Sequence, residues 1–91
     1  MIKLLILKND AKCLLTKIRE VGAEIGEPDC ELEDPVEFKV EEGLSWKERM
    51  QRWPGVNLTH ENKCMISSDA ILTIVEPQQE LLEAYKEVIG T

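Results

Sequence analysis

The chain has 91 residues, with eleven basic and eighteen acidic side chains, one histidine and a formal charge of −7. A single domain of this size buries only about 60–65% of the surface its unfolded chain exposes, and its net charge repels a phosphate backbone, which excludes nucleic-acid binding through an overall field. Cys13, Cys30 and Cys64 cannot all pair in one chain and match no zinc spacing, so a cytoplasmic protein with reduced core thiols is expected; the longest apolar run, residues 4–7, is far too short to cross a bilayer.

Ile2, Leu4 and Ile6 alternate with Lys3, Leu5 and Leu7, which predicts a first strand buried on both sides. Lys8-Asn9-Asp10-Ala11 reads as a hairpin turn, because Asn and Asp tolerate positive φ. Residues 12–21 return as a long, bending second strand, with Leu14 and Ile18 on one face and Lys17 and Arg19 on the other. Leu14, Leu15, Ile18 and Val21 also fit a helical stripe, so helix is the alternative for 11–21. After Gly22, Gly26 and Pro28 comes the clearest alternation in the chain: Cys30, Leu32, Val36, Phe38 and Val40 at even positions, with acidic residues and Lys39 at odd ones. That predicts a half-exposed third strand, and Asp34-Pro35 predicts a bulge or sharp bend in it.

Residues 43–62 have no sustained period and form the predicted variable loop, in which Ser45 and Glu48 have the spacing of a capping box around one helical turn. Residues 63–76 read as strand, tight turn, strand. The second of these, 70–75, is apolar on both faces, with Leu72 and Ile74 on one side and Ile71 and Val75 on the other. So small a protein cannot readily cover both, and a subunit interface is expected. Pro77, then Leu81, Leu82, Tyr85, Val88 and Ile89 on one face, then Gly90, predict a C-terminal helix over 77–90. The expected fold is mainly β: one domain over 1–91, a small, strongly bent, five-stranded antiparallel barrel with a C-terminal α-helix, its first hairpin and third strand lying within 1–42.

Two groups of residues invite a functional reading. Trp46, Lys47, Arg49, Arg52 and Trp53 combine indoles with cations, a pairing suited to single-stranded nucleic acid because every base offers a face to stack on. The bland alternative has the tryptophans packing the loop onto the barrel. The carboxylates of 27–42 alternate along a strand instead of converging, so no metal is expected. His60 has no placed nucleophile beside it, and neither a catalytic residue nor a cofactor is expected.

A family resemblance enters with two motifs. Ile66-Ser67-Ser68-Asp69-Ala70-Ile71-Leu72-Thr73-Ile74-Val75 resembles the second motif of Sm, LSm and Hfq proteins, with Ser67 and Ser68 where that family has a basic residue and a glycine. Asp29-Cys30-Glu31-Leu32-Glu33-Asp34 is similar to the first motif, with Asp29 where Asn is common. Gly26-Glu27-Pro28-Asp29-Cys30 and the stretch 66–77 are most similar to a divergent Sm-like group of marine cyanophages and ocean metagenomes.

The resemblance implies a cyclic homo-oligomer, pentamer to heptamer, in which the fourth strand of one subunit pairs with the fifth of the next, with Met65, Ile66, Ile71, Thr73 and Val75 at the seam. It implies single-stranded RNA, or DNA, near the pore at Asp29, Ser67, Ser68 and Asp69, with Trp46, Lys47, Arg49 and Arg52 as the further candidates from the loop. Such a ring would act in nucleic-acid processing during phage infection, in the host cytoplasm. A ring of Asp29 carboxylates would repel phosphates, and Ser67 lacks a guanidinium to stack on a base. The alternative is an acidic adaptor ring that binds proteins and no nucleic acid.

Overall fold

The computed structural model describes residues 2–55 and 57–90; Met1 and Thr91, the ends of the expected domain, and Val56 of the expected loop lie outside the described residues. Six strands and one helix follow in order: β1 (Ile2–Leu7), β2 (Cys13–Glu20), β3 (Cys30–Phe38), β4 (Met50–Arg52), β5 (Lys63–Ile66), β6 (Ile71–Val75) and α1 (Gln79–Ile89). All pairings are antiparallel, in the order β4-β3-β2-β1-β6, with β5 also on β3. The fold is mainly β, an open antiparallel sheet with one C-terminal helix.

The helical alternative for 11–21 fails because β1 and β3 claim the two edges of β2. Leu14 and Leu15 are adjacent in that strand and both fully buried, so both faces of the sheet are apolar. On one face Leu15 and Val36 meet Leu81 and Tyr85 of α1; on the other Leu5, Leu14 and Leu32 form a second cluster, joined by Trp53, Cys64, Ile66 and Ile71.

The expected bulge lies at Asp34-Pro35. Leu15 pairs with Val36 and Lys17 with Glu33, so β3 carries one extra residue, and Asp34 takes φ 52°. Thr16, opposite the bulge and fully buried, donates its hydroxyl to the Glu33 carbonyl at 3.0 Å, satisfying a group the ladder leaves out. The same bulge lets β4 pair with Val36–Phe38 and β5 with Cys30–Glu33 along one edge of β3.

Five expectations change. The loop 43–62 contains β4 after a 3-10 turn at Lys47–Arg49, a sixth strand whose three residues carry no periodicity of their own. Strand β3 stops at Phe38, so Val40 is exposed instead of inward. The positive φ of the first hairpin falls on Ala11, not on Asn9 or Asp10. Ala70 belongs to a 3-10 turn, Ser68–Ala70, and Pro77 precedes the extended N-cap Gln78 instead of opening the helix. The helix ends as expected: Gly90 adopts φ 83°, open to glycine without a Cβ clash, and its N–H reaches the Lys86 carbonyl at 3.1 Å. The Ser45–Glu48 capping box forms, each backbone N–H donating to the other side chain at 3.3 Å.

Strands β5 and β6 stand at opposite ends of a five-strand path, about 19 Å apart were the sheet flat. Residues 67–70 alone join them, and three of these are coiled into the 3-10 turn. Ile66 and Ile71 nevertheless pack on one cluster. The sheet is therefore rolled toward closure, and β5 and β6 do not pair with each other.

Candidate functional site

The turn between β5 and β6 is built on Ser67. Its extended backbone starts the turn, its Oγ accepts the Asp69 N–H at 3.2 Å, and its carbonyl accepts the Ala70 N–H at 3.0 Å. The Ala70 carbonyl in turn accepts the Lys8 N–H at 2.9 Å, tying the turn to the end of β1. On the other side stands Asp29, just before β3. Its carboxylate accepts the Ser68 N–H at 2.6 Å and the Ser68 hydroxyl at 2.8 Å. Those two donors hold the Asp29 carboxyl below the usual aspartate range, the backbone N–H contributing most.

Asp29, Ser67, Ser68 and Asp69 are thus together in space, and the contact takes up both donors of Ser68. The Ser68 N–H faces a carboxylate, and the Asp69 N–H a serine oxygen. The turn therefore offers oxygen acceptors and negative charge, a surface for donors and cations and not for phosphates.

The aromatic and cationic loop residues do not form one platform. Trp46 lies on the helix side of the sheet and Trp53 in the cluster on the opposite face. Trp46 packs 5.7 Å from Phe38 between ring centroids and donates its indole N–H to Glu80 at 3.3 Å. Arg49 lies over both rings, 5.5 Å from Trp46 and 5.9 Å from Phe38, while Lys47 pairs with Glu87 of α1. Trp46 and Lys47 fasten the loop to the helix, and Arg49 packs over Trp46 and the Phe38 ring of β3.

Arg52 belongs to a third place, the Asp34 hub. Its Nη1 donates to Asp34 Oδ1 at 3.2 Å, where the Asn62 amide also donates at 3.3 Å, and Lys17 lies 3.6 Å from the other oxygen. The Asp34 carbonyl accepts the Tyr85 hydroxyl at 2.8 Å, and its N–H donates to the Asn62 carbonyl at 2.6 Å. One residue at the bulge thereby joins β2, β4, the loop and α1. The sequence signal was the break in alternation at Asp34-Pro35, which foretold the bend and none of its partners.

The expected seam residues divide. Ile66 and Ile71 pack inward on the Leu5–Leu14–Leu32 cluster, whereas Met65, Thr73 and Val75 are exposed. Leu72 and Ile74, 63% and 48% exposed, extend the apolar surface of β6. Among the described residues β6 pairs only with β1 and β5 only with β3, so each has an open edge. A cavity of about 400 Å³ lies beside β6, lined by Lys3, Ile18, Arg19, Cys30, Ile71 and Ile74.

A second cavity, about 520 Å³, lies on the other side of the turn, between it, the β1–β2 hairpin and Trp53. Lys8 of the expected hairpin turn and Lys12 at the start of the expected second strand stand at its rim with Ser67 and Asp69. Elsewhere, burial pushes the thiols of Cys13, Cys30 and Cys64 up, away from the reactive thiolate form. No group of three His, Cys, Asp or Glu side chains among the described residues is placed to hold a metal ion. No helix there is long and apolar enough to cross a membrane.

A family model described as a family of unknown function, DUF6561, matches residues 1–90. No curated protein matches the chain significantly.

Proposed function

We propose, for a chain that belongs to the DUF6561 family, a non-enzymatic role as the subunit of a cyclic, Sm-like homo-oligomer that binds single-stranded RNA. The observation that carries the reading is the pair of open edges on β5 and β6, joined by a short turn and bearing the exposed Met65, Leu72, Ile74 and Val75. An unpaired, apolar edge on so small a sheet calls for a partner strand. A neighbour's β6 laid against β5 satisfies both edges at once, and repetition closes a ring without leftover edges. The rolled sheet is then a bent barrel left open at one seam, and Asp29 with the Ser67–Asp69 turn recurs once per subunit around the axis.

Light scattering tests the assembly: a mass five to seven times the 10.4 kDa of the chain is expected, and a monomer overturns it. Fluorescence anisotropy at low salt with oligouridylate, oligoadenylate and single-stranded DNA tests the ligand. Binding that weakens as salt rises is expected, and failure of all three probes removes the nucleic acid. A second reading, an adaptor ring for proteins, is favoured by one observation: the turn beside Asp29 carries no basic residue, and the N–H donors of Ser68 and Asp69 are already used. Partners recovered from lysate after nuclease treatment would support it.

A further inference from the structure

The cavity between the β1–β2 hairpin and the β5–β6 turn has the chemistry of a nucleotide site, and we infer that it takes one nucleotide unit of a bound single strand, outside the Asp29–Ser68 contact. The inference rests on the nucleic-acid reading above. Its volume, about 520 Å³, is that of a small-molecule site, and an apolar floor with a few polar groups at the rim is the usual build of one.

The floor is Leu7 and Trp53. Trp53 is half-buried, rests on the Leu5–Leu14–Leu32 cluster and borders the cavity, a rigid aromatic wall for a base to stack against. At the rim stand the two lysines. Five of the eleven basic side chains, Lys3, Lys17, Arg19, Lys47 and Arg52, pair with carboxylates, and Arg49 lies over two aromatic rings. Lys8, Lys12, Lys39, Lys63 and Lys86 have no such partner among the described residues, and of these five Lys8 and Lys12 border this one cavity. They supply two ammonium groups for phosphate in a protein whose overall charge is repulsive. Asp10 and Asp69, also at the rim, are acceptors for ribose hydroxyls or exocyclic amines. The division of labour is stacking on Trp53, phosphate at the lysines and hydrogen bonding at the carboxylates.

The two tryptophans make the test site-specific. In a Trp46→Phe protein the indole of Trp53 is the single tryptophan reporter, and its emission is followed while a dodecamer of uridylate or adenylate is added, with anisotropy of the labelled oligonucleotide read in parallel. Quenching is expected, with affinity falling about tenfold at 50 mM salt in Lys8→Ala/Lys12→Ala, and the salt slope shallower by about 1.4. Lys8→Arg/Lys12→Arg should restore binding. Trp53 also borders two neighbouring cavities that lack Lys8 and Lys12, so quenching by the dodecamer that is lost in the double-alanine variant places its nucleotide in this cavity, and quenching by a free mononucleotide alone, without dodecamer binding, overturns the strand as the source of the ligand. If the dodecamer binds by anisotropy but leaves Trp53 emission and the affinity of the double-alanine variant unchanged, the cavity is not the site, while the nucleic-acid reading stands. If no oligonucleotide binds, both fall.

Discussion

The Asp29 carboxylate and Ser68, 39 positions apart, are joined by two hydrogen bonds of 2.6 and 2.8 Å, both donated by the serine. That contact holds the β5–β6 turn against the start of β3, and through it positions the ends of the two open-edged strands. Asp29 is ionised in this arrangement, so the turn's geometry is coupled to a charge.

The first prediction follows from the direction of that coupling. A carboxyl whose pKa is lower folded than unfolded stabilises the fold above the ordinary aspartate range, near pH 3.9, and the contribution is lost as pH falls through the lower folded value. Ser68→Ala removes the hydroxyl donor and should bring the Asp29 titration, followed by NMR at the carboxyl carbon, back toward the ordinary range. An unchanged titration would show that Ser68 Oγ plays no part.

Asp34 should be the most sensitive polar position of the fold. It combines φ 52° with a carboxylate bonded to Arg52 and Asn62 and lying close to Lys17. Asp34→Asn keeps an acceptor and a side chain that tolerates the left-handed region, and should cost about 1 kcal/mol. Asp34→Ala loses the acceptor and strains the backbone, and should cost about 2–4 kcal/mol. Urea denaturation checks the order, and equal losses for the two variants would contradict it.

Tyr85→Phe deletes one hydroxyl from a fully buried ring and leaves the Asp34 carbonyl without its 2.8 Å donor. A loss of about 1–2 kcal/mol is expected, seen as a lower urea midpoint at unchanged slope. Burial first, then the Asp34 charge, raises the Tyr85 pKa above its usual 10. A raised pKa stabilises the fold below about pH 10 and loses that contribution as pH climbs above it. Tyrosinate absorbance should therefore be missing from the folded protein at pH 10.5 and emerge together with alkaline unfolding.

Leu72→Lys/Ile74→Lys places two charges on exposed positions of β6. If β6 is a subunit edge, the solution mass should drop to one chain while the thermal transition of that monomer remains cooperative. A full-size assembly in this variant would mean that the β6 surface is not the seam.

Much of the architecture was legible because it is written in local pattern. Alternation set β1 and β3, Asp34-Pro35 marked the bulge, Ser45 and Glu48 the capping box, and Gly90 the end of the helix. Each is decided by neighbours within about four positions, where period and turn chemistry act directly. β4 was missed because three residues carry no period; it exists because the bulge divides the edge of β3 and leaves Val36–Phe38 open.

The candidate sites needed the third dimension. Trp46 and Trp53, seven positions apart, suggested one platform, yet β4 carries the chain from the helix side to the opposite face before Trp53. Asp34 could be read as a bend but not as the acceptor for Tyr85, 51 positions away. Lys8 and Lys12 lie beside Asp69 because β6 pairs with β1, Leu7 opposite Ile71, and they meet Trp53 because the sheet rolls until the far end of the strand order packs on the same cluster as Ile71. Local rules determine which segments become strands; strand pairing, the helix packed on one face and the roll that buries the other select which distant side chains share a site.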